Sequence, residues 1–311
     1  MLGKNEDREL TIEINGLKTY FDTYRGIVKA LDGVDLKIPK GSTVGLVGET
    51  GCGKSTTALS ILRLVPEPGE IREGKIIFNE EVDILELDGD ELRDLRGNDI
   101  AMTFQDPKTY LNPVLKIEEQ LIEPILLHQD LVPEAIDLKI QKLREKEATN
   151  HKKITKWKEE KKQYLKRSEE LQEMKVKKIN AEKPEKEKLK KRIEKLQRKR
   201  ERATGITYSD KRKVAKKKAL ETLELVKMPQ PAEVIKQFPH ELSTGMRQRV
   251  MIATMLSSNP KLFIADEPTT ALDVTIQAQI LKLLNELKNQ LQSSILYITH
   301  NLAVIAQICD Y

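Results

Sequence analysis

The feature that most constrains this chain is a glycine-rich run between a short apolar segment and a helical segment. The run is GETGCGKS at residues 48–55, the apolar segment is TVGLV at 43–47, and the helical segment covers 56–64. In such a strand–loop–helix unit, backbone N–H groups and the positive end of the helix converge on phosphate groups. Lys54 can reach the terminal phosphates, and the Ser55 hydroxyl can bind Mg²⁺. The run fits the Walker A pattern and predicts a nucleotide-binding loop in an α/β fold.

A second short apolar strand ends in two adjacent carboxylates. Residues 261–265 read KLFIA and are followed by Asp266 and Glu267. An Asp at a strand tip can hold Mg²⁺ through water, and the adjacent Glu can orient or deprotonate an attacking water. The alternative is an exposed acidic pair that only ends a strand. Because a phosphate loop lies upstream, the pair predicts nucleotide hydrolysis.

Further apolar segments alternate with helical ones, which predicts a parallel α/β sheet. Residues 9–47 are predicted to form short strands and turns, and apolar residues at helical spacing predict a helix over 276–291. The remaining segments with strand character lie at 10–14, 34–38, 75–78, 100–104 and 294–298.

The run ELSTGMRQR at 241–249 lies shortly before the strand that ends at Asp266. Together the run and the strand resemble the signature motif and Walker B strand of the ATP-binding cassette (ABC) ATPases. The resemblance implies that Ser243 and Gly245 close over ATP held by a partner subunit. The family usually has two glycines after this serine, and Thr244 replaces the first, so we expect a weakened signature site.

Three single residues take roles only through this resemblance. Gln105 resembles the Q-loop residue that contacts Mg²⁺ and water, His300 the H-loop switch at the γ-phosphate, and Asp273 the D-loop residue at the dimer seam. The implied cofactors are ATP and Mg²⁺. The predicted catalytic residues are Glu267, His300 and Gln105, and the predicted metal ligands are Ser55, Gln105 and Asp266. The predicted ATP-binding residues are Tyr24, Gly48, Gly51, Cys52, Gly53, Lys54, Ser55, Thr56, Ser243, Gly245 and Asp273.

The adenine contact rests on an aromatic residue from the N-terminal strands, as the resemblance implies. Tyr24 is the first choice, and Phe21 and Tyr20 are the alternatives. Cys52 is interpreted as a small loop residue rather than a reactive thiol.

Several stretches resemble one branch of the family, the importers of oligopeptides, dipeptides and nickel. The resemblance covers about 1–135 and 213–311 and implies an ATPase subunit at the cytoplasmic face of the membrane. Its implied partners are a second ATP-binding subunit, two membrane-spanning permease subunits and, indirectly, a substrate-binding protein. The stretches that carry this resemblance are 46–57, 104–107, 111–114, 238–243 and 268–281.

A basic helical segment interrupts this resemblance. Residues 151–200 hold 21 Lys or Arg against 9 Asp or Glu, a net charge of +12, whereas the rest of the chain has a net charge of −7. Apolar residues at 154, 157, 164 and 171, and again at 189, 193 and 196, predict two amphipathic arms. Residues 180–184 would form the turn of this helical hairpin. A single solvated helix is the alternative.

The basic segment leaves a second function open: a non-transport cassette ATPase that acts on nucleic acid or the ribosome. A basic hairpin can bind nucleic acid phosphates. DNA-repair cassette ATPases with an inserted coiled coil carry a Cys pair for a metal hook at its tip, but the tip near Pro184 has no Cys pair. Ribosome-associated cassette ATPases carry two cassettes, but this chain has one Walker A run. Aromatic residues make up only 4% of the chain, which disfavours base stacking. A third hypothesis is an arm that rests on anionic lipid headgroups or acts as a solvated spacer.

The predicted fold is α/β, a P-loop ABC-type nucleotide-binding domain with a parallel sheet core, an antiparallel β subdomain, an α-helical subdomain and the inserted basic hairpin. Residues 1–135 are predicted to hold Walker A and the Q-loop, and 136–213 the helical subdomain with a coiled-coil-like insertion. Residues 214–311 hold the signature, Walker B, D-loop and H-loop motifs. Because family members continue past the position of Tyr311, the sequence is expected to be C-terminally shortened. It names neither the cargo nor whether the ATPase partner is identical.

Overall fold

The structure is a computed structural model, and it divides into two compact units. Unit 1 combines residues 1–121 and 221–311, and unit 2 consists of residues 122–220. The described residues are 8–103, 110–146, 151–179, 185, 188–193, 195–196, 204–269 and 272–311.

The strands and helices alternate along unit 1, and helices make up the named elements of unit 2. The strands are β1 (Leu10–Thr23), β2 (Gly26–Pro39), β3 (Thr43–Val47), β4 (Gly69–Phe78), β5 (Val82–Asp83), β6 (Ile100–Thr103), β7 (Leu262–Asp266) and β8 (Ser294–Thr299). The helices are α1 (Lys54–Ile61), α2 (Gly89–Leu95), α3 (Ile117–His128), α4 (Val132–Lys146), α5 (His151–Ile179), α6 (Tyr208–Leu225), α7 (Pro231–Val234), α8 (Thr244–Leu256), α9 (Val274–Leu291) and α10 (Leu302–Ile308).

A four-stranded parallel sheet in the order β3-β8-β7-β6 forms the core of unit 1. Every residue of β6, β7 and β8 is buried. Uniformly apolar strands are what a parallel sheet covered on both faces requires. The predicted parallel core of an α/β fold is therefore confirmed. The glycine-rich loop, Glu267 and His300 follow the carboxyl ends of β3, β7 and β8.

A second, antiparallel sheet in the order β2-β1-β4-β5 also belongs to unit 1. It confirms the predicted antiparallel subdomain but corrects the expectation of short strands, because β1 and β2 each span 14 residues. The buried positions of β1 change phase between Ile14 and Leu17, where the register to β2 shifts. Gly16 lies in this bulge with φ +59°. The bulge lets one strand continue where the alternation of the sequence stops.

Two helices of unit 1 place the candidate site. Helix α1 begins at Lys54 and ends at Ile61, so the predicted helix over 56–64 is shifted toward the loop by two to three residues. Helix α9 confirms the helix predicted over 276–291 and starts two residues earlier, because the Asp273 carboxylate caps it by accepting from Ile276 N at 2.9 Å.

Unit 2 contains helices α4 and α5, which pack against each other through an apolar cluster. The buried members are Val132, Ile136, Ile140 and Tyr164, and Ile154 and Trp157 pack against them. Positions 154, 157, 164 and 171, predicted for the first amphipathic arm, all lie on α5 and are buried or half-buried.

The predicted turn of the hairpin at 180–184 lies outside the described residues, so the hairpin stays a prediction. Of the second arm, residues 188–193 and 195–196 are described and are helical. No helix in the described part of the chain is long and apolar enough to cross a bilayer.

Candidate nucleotide site

The glycine-rich loop joins β3 to α1 and is shaped by two residues that need a left-handed backbone. Gly51 has φ +86° and Gly53 has φ +96°, a region that L-residues rarely adopt. A Cβ on Gly53 would lie 2.7 Å from Ala30 O, so this glycine also lets the loop approach β2. A Cβ on Gly48 would lie 2.7 Å from Cys52 Sγ. The loop therefore leaves no room for a side chain at Gly48 or Gly53.

Lys54 lies at the first position of α1, and its ammonium group bends over the loop. Its Nζ donates to Gly48 O and to Glu49 O, both at 2.8 Å, and lies 3.7 Å from Cys52 Sγ. The residue is 8% exposed. A cation held among loop carbonyls at a helix N-terminus is well placed for phosphate oxygens. Thr56, in the first turn of α1, is half-buried.

Asp266 is the last residue of β7 and faces the start of α1. Burial raises the pKa of its carboxyl group, a hydrogen bond from the Ser55 side chain opposes that rise, and the charge of Lys54 opposes it further. The carboxylate is 5% exposed, and its Oδ1 has no hydrogen-bond partner in the described part of the chain. Two predicted Mg²⁺ ligands, Ser55 and Asp266, are thus brought together.

Glu267 follows Asp266 with a left-handed backbone, φ +45°, which is rare for a residue with a side chain. Its N–H donates to Ile298 O at 2.9 Å, and this bond ties the turn to β8. Its Oε1 lies 3.2 Å from Nδ1 of His300, which follows β8. The Glu267 side chain is 10% exposed and the His300 ring 58% exposed. The structure therefore joins two of the predicted catalytic residues.

Ser243, Gly245 and Asp273 form a separate group at the N-termini of α8 and α9. The Ser243 hydroxyl caps α8 by accepting from Met246 N at 3.2 Å. A Cβ on Gly245 would lie 3.1 Å from Ile276 Cγ2, so this glycine lets the two helix ends approach each other. In the described part of the chain, these three residues make no hydrogen bond to the loop around Lys54.

The aromatic residues proposed for adenine have different surroundings. Tyr24, in the turn between β1 and β2, is 91% exposed, and the Arg25 guanidinium lies 5.2 Å from its ring centroid. The Tyr20 hydroxyl donates to Asp32 at 2.6 Å. A Cβ on Gly69 would lie 2.6 Å from Phe21 Cε1, so Phe21 packs on backbone. Tyr24 is therefore the most exposed of the three, and its role stays a prediction.

Gln105 and the Thr270-Ala271 pair before the D-loop aspartate lie outside the described residues. Strand β6 ends at Thr103, and Thr103 pairs with Ala265, the neighbour of Asp266. The role of Gln105 remains a prediction from the sequence.

Three supporting residues were missed by sequence reasoning. Gln248 on α8 donates its side-chain amide to Pro268 O, directly after the acidic pair. The hydroxyl groups of Thr269 and Tyr297 lie 3.2 Å apart, and burial raises the pKa of Tyr297 to about 12. These contacts hold the turn after β7 from two sides. A polar residue on an otherwise apolar helix face was the available signal for Gln248.

These residues fit a nucleotide and Mg²⁺. The unpartnered oxygen of Asp266 and the hydroxyl of Ser55 are hard oxygen donors, which Mg²⁺ prefers, and Mg²⁺ in such sites takes its other ligands from phosphates and water. The loop would supply the phosphate contacts through Lys54 and the N-terminus of α1. No group of three or more His, Cys, Asp or Glu side chains among the described residues forms a protein-only metal site.

The comparison with known proteins agrees with this geometry. The profile of the ABC transporter family matches residues 31–270, which include the loop, the signature run and the acidic pair. The chain belongs to the ABC transporter family. Likeness to solved cassettes supports the same fold: the dimeric post-hydrolysis structure of the ATP-binding cassette MJ0796 with ADP and Pi has a TM-score of 0.61, at 22% identity, over 94% of this chain and 89% of that one.

The sequence relatives of this ABC protein include ATP-binding proteins of peptide transport. It is 37% identical to the oligopeptide transport ATP-binding protein OppD of Bacillus subtilis, over 96% of this chain and 62% of that protein. It is 36% identical to the dipeptide transport ATP-binding protein DppD of the same organism, over 97% of this chain and 67% of that protein. The chain thus spans about two thirds of the length of these relatives. The predicted likeness to the oligopeptide and dipeptide branch is confirmed.

Proposed function

We propose that this chain is the ATP-hydrolysing subunit of an ABC importer for dipeptides or oligopeptides, driven by ATP-dependent closure of two nucleotide-binding subunits. The observation that carries the proposal is the convergence of Lys54, Ser55, Asp266, Glu267 and His300 at the carboxyl edge of one parallel sheet. Similarity to OppD and DppD supports peptides as the cargo.

In this proposal, the loop residues bind the nucleotide and the acidic pair acts on the water. Lys54 exchanges its carbonyl partners for phosphate oxygens, and Ser55 with Asp266 holds Mg²⁺. When bound, Mg²⁺ neutralises charge that develops on the phosphates. Glu267 takes a proton from the attacking water, because it is buried and directed by the ring of His300. His300 itself is exposed enough to contact the γ-phosphate.

The signature residues serve a partner in this proposal. Ser243 and Gly245 lie at the N-terminus of α8 and, among the described residues, make no hydrogen bond to the chain's own loop. A helix N-terminus attracts an anion. Asp273 caps the neighbouring α9. The signature residues and Asp273 therefore face the same second subunit. A complete site then needs the loop of one subunit and the signature of another.

The proposed assembly places the chain peripherally at the cytoplasmic face of a membrane. Two membrane-spanning subunits and a second ATP-binding subunit are the direct partners, and a substrate-binding protein is an indirect one. The hypothesis of a non-transport cassette ATPase is less favoured, because the relatives carry the names of peptide transport proteins.

The catalytic part of the proposal is tested by ATP binding and hydrolysis with the whole chain. Glu267→Gln is expected to lower kcat about 10²- to 10⁴-fold and to keep ATP affinity, because it removes the base but no phosphate contact. Lys54→Ala is expected to lose ATP binding. Glu81→Gln, in an exposed glutamate between β4 and β5, is the matched control and keeps wild-type rates. Hydrolysis by Glu267→Gln at the wild-type rate would refute the assignment of the base.

The transport part is tested separately in cells. Uptake of a labelled tripeptide by cells whose only copy of the chain carries Glu267→Gln is expected to stop, whereas Glu81→Gln leaves it unchanged. If hydrolysis is lost but peptide uptake continues, the chain is an ATPase with another task.

A further inference from the structure

A cleft of about 540 Å³ lies between α4 and α5, wholly within unit 2. The motifs of the nucleotide site do not involve it. The side chains that line it and matter here are Asp137, Ile140, Lys158, Lys161, Lys162 and Leu165. The cleft therefore combines three ammonium groups with an apolar wall.

The three lysines of the cleft have different roles. Lys161 is half-buried and forms an ion pair with Asp137 across the two helices. Lys158 and Lys162 are exposed, and among the described residues neither has a carboxylate partner. They are four residues apart on α5, so their side chains lie on the same face, about 6 Å apart at Cβ. Two unpaired ammonium groups at this spacing fit the oxygens of one phosphate.

The apolar wall is an extension of the core of unit 2 into solvent. Ile140 is 7% exposed and belongs to the same cluster as Val132, Ile136 and Tyr164. Leu165, next to Tyr164 on α5, is 43% exposed. An aliphatic surface beside two ammonium groups suits a ligand with a charged head and a hydrocarbon body.

The surrounding charge favours an anionic surface over an isolated anion. Residues 151–200 carry a net charge of +12, and the cleft lies on the first helix of this segment. Basic segments are attracted to anionic lipid surfaces by about 1 kcal/mol per Lys or Arg. The exposed Glu169, one turn beyond Leu165, marks where the basic face ends.

The aromatic content of this region disfavours single-stranded nucleic acid. Such sites combine basic residues with aromatic rings on which bases stack. Among the described residues, no aromatic side chain lines the cleft. The nearby Trp157 is half-buried, and the Lys139 ammonium already lies 4.9 Å from its ring centroid.

We propose that this cleft binds the phosphate headgroup of an anionic phospholipid at a bilayer surface. Lys158 and Lys162 hold the phosphate, and Leu165 with Ile140 contacts the glycerol and upper acyl region. The interaction tethers unit 2 to the lipid directly, independently of any membrane protein, and does not depend on the proposed peptide transport.

The test is cosedimentation of the whole chain with phosphatidylcholine vesicles that contain ~30 mol% phosphatidylglycerol, which makes their surface strongly anionic. Lys158→Gln/Lys162→Gln is expected to weaken binding about 30-fold, since about 1 kcal/mol per lysine is about a fivefold effect. Leu165→Gln is expected to weaken it about 5- to 10-fold by removing buried hydrocarbon contact. Pure phosphatidylcholine vesicles are expected to bind weakly.

The matched control is Lys156→Gln/Lys177→Gln, which removes the same charge from exposed positions of α5 outside the cleft. It is expected to change binding by less than about threefold. Equal loss in control and cleft variants would overturn the proposal in favour of diffuse attraction. Displacement of the chain from vesicles by inorganic phosphate, but not by sodium chloride of equal ionic strength, would overturn the proposal in favour of a site for free phosphate. Displacement by a ~30-nucleotide single-stranded DNA that binds the wild type but not the cleft variant would assign the cleft to nucleic acid. Circular dichroism melting of each variant checks the fold.

Discussion

Asp210 connects three parts of unit 2, and its removal gives a prediction with a worked magnitude. Its carboxylate accepts from Lys139 Nζ on α4 at 2.8 Å, and from Thr207 N at 3.0 Å and Thr207 Oγ1 at 2.7 Å. The Thr207 hydroxyl in turn accepts from Asp210 N at 3.3 Å, which makes a capping box at the start of α6. Burial opposes ionisation of Asp210, but the bonds from Lys139 and Thr207 outweigh it and lower the pKa to about 2.

The predicted cost of Asp210→Asn follows from that pKa. Holding the pKa at about 2 instead of 3.8 corresponds to about 2 kcal/mol, and the side chain is only 17% exposed, so solvent screening reduces this little. A lowered acid pKa stabilises the folded state above the unfolded pKa near 4, and the contribution is lost as the pH falls toward 2. The variant should therefore be less stable by about 2 kcal/mol at pH 7, and the difference should shrink between pH 4 and pH 2.

The assay is urea unfolding followed by tryptophan fluorescence. Trp157 is the sole tryptophan of the chain, and it lies in unit 2 beside Lys139, so its emission reports this unit. Glu169→Gln, an exposed carboxylate on α5, is the control and should unfold like the wild type. Equal midpoints for Asp210→Asn and the wild type at pH 7, or a difference that persists unchanged at pH 2.5 (well below ~4), would refute the electrostatic argument.

Three further predictions concern unit 1. Gly53→Ala should lower the free energy of unfolding by about 2 kcal/mol or more, because the new Cβ would meet Ala30 O. Gly51→Ala should lower it by about 1 kcal/mol, from backbone strain alone. Thermal melts of the two variants measure the difference. Burial raises the pKa of Asp266, so its charged form lowers the stability of the folded chain. Asp266→Asn should therefore be more stable than the wild type at pH 7 but not below pH ~4, as denaturation would show. Its Mg²⁺-dependent rate of ATP hydrolysis should fall about 100-fold or more. Thr244→Gly should raise the ATP hydrolysis rate about 2- to 10-fold, and an unchanged rate would contradict a weakened signature.

The sequence was sufficient for the parallel sheet because its strands are short and uniformly apolar. The runs at 43–47 and 261–265 coincide with β3 and β7 within one residue. It was insufficient for β1, because the bulge at Gly16 moves the buried side chains from even to odd positions. A period-two pattern read from one end stops at such a phase change, although the hydrogen-bonded strand continues to Thr23.

For the candidate site, the sequence indicates residues that the structure brings together, but not their backbone conformation. The run around Lys54 and the pair Asp266-Glu267 have local signatures, and the structure brings them together as a strand–loop–helix unit and a neighbouring strand tip. The left-handed backbone of Glu267 has no local signal, since it depends on the bond from its N–H to Ile298 in β8. The contact between Gln248 and Pro268 likewise joins residues whose proximity only the folded chain creates.

The strand order also sets when the core can form during synthesis. In the described sheet, β3 pairs only with β8, and β8 separates β3 from β7. The strand that carries the phosphate loop leaves the ribosome about 250 residues before its partner, a delay of about 13 to 50 s at usual elongation rates. Unit 2 is translated within this interval and accounts for about two fifths of it. The apolar strand β3 therefore stays unpaired and exposed during this interval. Pairing over so long a sequence separation slows folding, and the exposed strand favours chaperone binding.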